Sequence, residues 1–213
     1  MSFGESFGLF QGKGPYGGSW ELGFQAAVFA IFDLDADSKD LVNADYFVAI
    51  PLSYRREAFS AMARLLHQSS HLGDEYLLRN RGDRVNLSYE AVDLKLSYDL
   101  PSGFRVYGGG QTLLTREPDE LDAWSGQLGA EWLSPEAWWG GALRPVAGID
   151  LQSREEADWN VDLSLRAGVQ LENPTLRSRS IQVLVEYYNG SSPNGQFYSR
   201  DIRYLGFGAH VQF

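Results

Sequence analysis

Apolar residues recur at every second position along most of this chain. In "DWNVDLSLRAGVQL", Trp159, Val161, Leu163, Leu165, Ala167, Val169 and Leu171 share one face, while Asp158, Asn160, Asp162, Ser164, Arg166 and Gln170 share the other. "WELGFQAAVFAIF" sets Trp20, Leu22, Phe24, Ala26, Val28, Ala30 and Phe32 against Glu21, Gly23 and Gln25. "NADYFVAIPLSYR" sets Tyr46, Val48, Ile50, Leu52 and Tyr54 against Asp45, Ser53 and Arg55. Period two is the signature of strands with one apolar face. Comparable segments lie near 58–70, 84–100, 103–116, 123–133, 139–152, 180–189 and 201–213. The pattern predicts about ten strands, most of them near or above the roughly 9–11 residues that cross a bilayer core at a tilt.

The connections alternate in kind. "YRREA", "DLPSG" and "LSPEA" read as tight turns, with "LENPTLRSRS" on the same side. "DLDADSKD", "SSHLGDEYLLRNRGD", "TREPDELD", "SREEAD" and "NGSSPNGQFYSRD" are mostly longer, polar and acidic. Short turns at one rim and long loops at the other, with aromatics near strand ends (Trp20, Tyr54, Tyr89, Tyr98, Trp124, Trp132, Trp159, Tyr187), form the pattern of an outer-membrane barrel. The fold class expected is therefore all-β, a transmembrane antiparallel up-and-down β-barrel over residues 14–213, with 1–13 as an N-terminal extension. A soluble barrel or sandwich would turn its apolar face inward. Strand length and loop asymmetry argue for the membrane form.

Two irregularities stand out. Pro51 and Pro145 lie inside strand patterns, where each removes a ladder donor. In "RVNLSYEAVDLKLSYDL" the apolar parity switches from Val85, Leu87 and Tyr89 to Val92, Leu94, Leu96 and Tyr98, which predicts a β-bulge at Ala91–Val92.

Composition narrows the chemistry. The 213 residues suit one domain, and a formal charge of −10 argues against nucleic acid as a partner. The absence of cysteine removes disulfides, thiolate metal sites and cysteine nucleophiles. "MSFGESFGLF" has neither the basic start nor the long apolar run of a signal peptide, and no apolar run has the length of a membrane helix.

With apolar faces toward lipid, the inward set includes Glu21, Asp45, Arg55, Arg64, Glu90, Lys95, Arg105, Glu131, Arg144, Asp150, Asp162, Arg166, Glu186 and His210. Of these, Arg64, Glu90, Arg105, Glu131, Arg144, Asp162, Arg166 and Glu186 are the expected polar network of the lumen. The signs are mixed, so mutual pairing is expected. A barrel of about ten strands lies near the size that side chains fill, which leaves at most a narrow path.

The candidate chemistry sits in "LLHQSSHLGDE". His67 and Ser69 share the outward parity of Phe59, Ala61, Ala63, Leu65 and His71, while Arg64, Gln68 and Ser70 take the other. A neutral imidazole beside a serine hydroxyl is the minimum for nucleophilic acyl transfer, and on a lipid-facing wall the matching substrate is a lipid ester. Asn86, Asp83 and Glu75 are the candidates to orient the histidine, but Asn86 has inward parity and Asp83 falls closer to His71. Asp74 and Glu75 offer hard oxygen ligands that suit Ca²⁺ if other oxygens join them. His67 and His71 are too far apart on a strand, roughly 13 Å, to share a zinc ion.

The run "HQS" at 67–69 resembles outer-membrane phospholipase A, whose catalytic His and Ser lie in a His-Gln-Ser-Asn run on the barrel exterior. Here Ser70 stands in the place of the Asn. The lipid A deacylase barrel has a similar His-x-Ser pair facing the membrane. Both resemblances imply a third residue, Asn or Glu, beside the histidine. A wider likeness, carried by "FAIFDLDADSKDLVNADYFVAIPLSYRREAFSAMARLLHQSSHLGDEYLLR" and "RVNLSYEAVDLKLSYDL", is to a bacterial family carrying domain of unknown function 1207. That resemblance implies an outer-membrane barrel, with a signal peptide and further sequence ahead of "MSFGES". The alternating end "YLGFGAHVQF", closing on Phe213, resembles the last strand of such barrels and implies handling by the barrel-assembly machinery.

Three functions stay open at this point. One is a structural or lipid-binding barrel whose partners are phospholipid or lipopolysaccharide. A second is a lipid acyl hydrolase using His67 and Ser69. A third is a narrow pore.

Overall fold

The computed structural model describes residues 1–80, 84–172 and 180–212. Among them, eleven strands form one antiparallel sheet in which each strand pairs only with its neighbours in sequence. They are β1 Ser2–Lys13, β2 Ser19–Phe32, β3 Leu41–Arg56, β4 Phe59–Leu72, β5 Leu87–Asp99, β6 Phe104–Glu117, β7 Trp124–Leu133, β8 Leu143–Arg154, β9 Val161–Leu171, β10 Ser180–Ser191 and β11 Asp201–Gln212. The strand added to the expected ten is β1, in the stretch read from sequence as an extension. It pairs with β2 from Ser2↔Phe29 to Lys13↔Ser19, with an extra residue at Leu9. No helix among the described residues is long and apolar enough to cross a membrane.

The connections alternate between two rims. One rim carries 14–18, 57–58, 100–103 and 134–142; the other carries 33–40, 73–86, 118–123, 155–160 and 192–200. The contrast is sharpest between the turn at 57–58 and the loop 73–86, which contains the helix α1, Asp74–Asn80. "LSPEA" is not a tight turn: β8 begins only at Leu143, after a 3-10 turn at Trp139–Gly141. The turn expected in "LENPTLRSRS" falls mostly outside the described residues.

The sheet is strongly curled, although β1 and β11 are not paired. Seven strand spacings separate β3 from β10, about 34 Å on a flat sheet. Yet the backbone N–H of Gly195, in the β10–β11 loop, donates to Asp45 of β3 at 3.1 Å, and Gln196 Nε2 donates to the Ser70 carbonyl of β4 at 2.8 Å. Only a curled sheet brings these together, and the contact marks the concave side.

Two kinds of packing divide that concave side. Near the long-loop rim, Ala49, Leu66 and Ala91 are fully buried, with Phe47, Tyr89 and Leu113 against them. Toward the short-turn rim it holds charged side chains around a cavity of about 920 Å³ lined by Glu21, Arg55, Lys95, Arg105 and Glu131. The convex side is apolar and exposed: Val48, Ile50, Leu65, Leu94, Val185 and Phe207 all project there.

The parity switch in β5 has a different cause from the one expected. The β4–β5 register is regular from Phe59↔Tyr98 to Ser70↔Leu87, so β5 has no bulge. The extra residue is Leu114 in β6, since Glu90 pairs with Thr115 and Ala91 with Leu113. Leu87 and Tyr89 are apolar because they point into the packed end of the concave side. Glu90 and Ser88 therefore point outward. At Pro51 the β2–β3 ladder skips from Leu22↔Leu52 to Gln25↔Ala49 without a register shift, the local opening that a missing donor produces.

Candidate functional site

On the convex wall, alternate residues of β4 present Leu65, His67, Ser69 and His71 in a column. Cross-strand pairing sets Glu90 directly opposite His67 and Ser88 opposite Ser69. On the other flank, β3 sets Val48 beside His67 and Tyr46 beside Ser69. The site therefore has an apolar floor of Val48, Ile50, Leu65 and Val92, and a polar patch in the half of β4 nearest the long-loop rim.

His67 Nδ1 lies 2.8 Å from Glu90 Oε1. A carboxylate oxygen can only accept, so the proton of this bond belongs to Nδ1. That tautomer leaves the Nε2 lone pair free to act as a base. Both side chains remain open to the exterior, at 41% and 46% relative exposure, so a substrate on the wall can reach them. No described hydrogen bond joins His67 to Ser69. Their Cα atoms are about 6.8 Å apart along the strand, a spacing that rotation about the side-chain bonds can bridge, and such contacts commonly tighten only when substrate is present.

Of the sequence candidates for the third residue, Asn86 and Glu75 are not beside His67. Asn86 Nδ2 donates to Glu117 Oε2 at the rim, one residue before β5 begins. Glu75 lies with Asp74 in the first turn of α1, where their charge complements the helix dipole. Asp83 falls outside the described residues. The residue that does meet His67 is Glu90, which the sequence had placed on the inward face. Its signal was available in the hairpin: counting β5 back from its apolar residues Val92 and Leu94 gives Glu90 their outward parity.

Ser69 and Ser70 diverge completely. Ser70 points inward, is buried, and its hydroxyl donates to Asp45 and, at 3.1 Å, to Asn43 Oδ1. Asp45 also receives the Gly195 N–H, and Gln196 bridges the Ser70 and Val85 carbonyls at 2.8 and 2.7 Å. An added Cβ at Gly195 would sit 2.5 Å from Leu87 Cδ2 and 2.6 Å from Ser70 Cβ, so glycine is what allows the loop this close. These bonds tie the β10–β11 loop over the concave side.

Several of the other inward charges sit in pairs. Arg64 forks onto Asp93 and reaches Gln25, and Arg154 meets buried Asp162 at 2.9 Å. Arg166 lies 3.6 Å from Glu186, which His210 contacts at 2.8 Å. Arg105 bonds Ser97 at 2.9 Å and approaches Asp99, and Glu131 pairs with Arg105 in register beside the cavity. At the short-turn rim Arg144 bonds Glu172 at 2.8 Å, which holds that carboxyl below its usual range. Among the described residues, no group of three or more His, Cys, Asp or Glu is arranged to hold a metal ion.

The family described as "Protein of unknown function (DUF1207)" matches residues 1–213, and the chain belongs to it. No curated protein and no solved structure matches the chain.

Proposed function

We propose that this member of the DUF1207 family is a transmembrane barrel of the bacterial outer membrane that hydrolyses acyl esters of membrane lipids on its outer wall. Its membrane placement is supported by strands of 10–16 residues and by the exposed apolar convex face, which exceeds what a soluble monomer presents. Eleven antiparallel strands leave β1 and β11 running in the same direction, so direct closure between them would be a parallel seam. The lipid-facing wall is then where an ionisable residue is costly, by about 2–4 kcal/mol for a cation at mid-depth. Ionisable groups held there as a matched pair point to chemistry.

The observation that carries the reading is the His67–Glu90 bond at 2.8 Å on that wall, two residues from Ser69. In the proposed reaction Ser69 Oγ attacks the acyl carbonyl while His67 Nε2 takes its proton. Glu90 holds the imidazole by Nδ1 and stabilises the positive charge that develops on the ring. The ester C–O bond breaks, Nε2–H protonates the departing alcohol, and an acyl-serine remains. Water then attacks the acyl-serine with His67 again as base, releasing fatty acid and restoring the serine. Ser88, opposite Ser69, is the hydroxyl placed to donate to the oxyanion. The apolar residues below Ser69 would hold the acyl chain.

The tied β10–β11 loop and the filled end of the concave side weigh against a pore. The test is fatty-acid release from phospholipid and lipopolysaccharide, measured by mass spectrometry on folded protein beside Ser69→Ala. Release by the parent alone supports the hydrolase. No release from either lipid leaves a lipid-binding or structural barrel.

A further inference from the structure

The column on β4 continues past the catalytic pair toward the rim. His71 is two residues beyond Ser69 on the same face, and Tyr46 meets its ring edge-on with centroids 5.7 Å apart. Arg84, just before β5, places Nη2 3.0 Å from His71 Nδ1. A guanidinium can only donate, so Nδ1 is the acceptor and the ring proton of neutral His71 lies on Nε2. The result is an exposed guanidinium fork joined to an imidazole donor, in a chain of net charge −10.

Position along the strand gives this pair a meaning. Acyl chains would lie over Leu65, Ile50 and Val92, with the ester carbonyl at Ser69 and the headgroup at His71 and Arg84. Ser69 and His71 are about 7 Å apart along the strand, close to one glycerol unit, which is what separates an ester carbonyl from the phosphate in a glycerophospholipid. A planar guanidinium matches phosphate oxygens in a two-pronged contact that a point charge cannot make.

We infer that Arg84 and His71 form a phosphate subsite, so that the ester cut at Ser69 belongs to a phosphate-bearing acyl lipid. This rests on the hydrolase reading, and the experiment separates the two. The folded full chain in detergent micelles would be given phosphatidylglycerol and a phosphate-free diacyl galactolipid with the same acyl chains. Lipid A before and after phosphatase treatment forms a second pair and identifies which phosphate-bearing lipid is used. Fatty-acid release would be followed for the parent, Arg84→Ala and Arg84→Lys, and lipid retention would be measured in parallel on the same proteins.

Loss of one charge-assisted contact should raise the KM for the phosphate-bearing lipid about tenfold in Arg84→Ala. Hydrolysis of the phosphate-free lipid should stay at the parent rate, and Arg84→Lys should recover only part of the loss. If Arg84→Ala treats both members of each pair as the parent does, the subsite is wrong while the hydrolase stands. If the parent hydrolyses nothing, the hydrolase falls and retention decides. Weaker retention of the phosphate-bearing lipid alone in Arg84→Ala sustains the subsite, and equal retention overturns it.

Discussion

Ser69 and Ser70 are consecutive residues of one strand, and they show two uses of the same hydroxyl. Ser70 is buried, bonded to Asp45 and Asn43, and tied through Gln196 to a loop more than a hundred residues away in sequence. Ser69 is accessible, has no described bond to its neighbour His67, and stands on an apolar wall beside a histidine already fixed by Glu90. In the inner group the Ser70 hydroxyl and the Asp45 carboxylate are both hydrogen-bonded inside the fold, which is the arrangement of a structural tie. The outer group leaves a serine hydroxyl and an imidazole nitrogen unengaged on an apolar wall, which is the arrangement the proposed hydrolase needs. Strand parity alone separates them.

Breaking each side should give opposite readouts. The largest effect is expected from Ser69→Ala, which should lower ester hydrolysis by at least about a thousandfold with the folded strand content unchanged by circular dichroism. Glu90→Gln keeps the shape but lets the amide select the wrong imidazole tautomer, and kcat should drop about a hundredfold with little change in KM. On the inner side the same assay should stay near the parent value. Asp45→Ala strands the Gly195 N–H and leaves the Ser70 hydroxyl only Asn43 as acceptor, and should cost about 3 kcal/mol in urea unfolding. It should also loosen the β10–β11 loop, which planar-bilayer conductance would read as a new leak. The smallest effect is Ser70→Ala, about 1–2 kcal/mol of stability with hydrolysis unchanged. Loss of hydrolysis in the Ser70 variant with its fold intact would mean that the inner and outer serines do not act separately.

Much of the architecture was legible because burial on one face imposes period two. The outward column of Leu65, His67, Ser69 and His71 follows from that alone. The rule failed where its premise failed. It takes inward positions as polar, but the end of the concave side under the β10–β11 loop is packed with Leu66, Leu87, Tyr89 and Ala91. Apolar Leu87 and Tyr89 then look like wall residues, the apparent parity of β5 inverts, and Glu90 is turned away from His67. The true irregularity, Leu114 in β6, hides between Leu113 and Thr115, where an extra residue breaks no obvious alternation. β1 was missed for a related reason: Gly4, Gly8 and Gly12 dilute its pattern, and the bulge at Leu9 moves Phe10 out of phase with Phe3 and Phe7. The seal at Gly195 has no local signature, because its partners at Asn43, Asp45 and Ser70 come from the other end of the chain.

The proposed nucleophile is Ser69, activated through His67 and Glu90. A fluorophosphonate, which exchanges its fluoride for an activated serine oxygen, tests it without knowledge of the substrate. Peptide mass spectrometry of the labelled, folded protein should place the adduct on Ser69, with labelling lost in His67→Ala and slowed in Glu90→Gln. An unlabelled Ser69, or equal labelling in the parent and His67→Ala, would rule out a serine activated by His67.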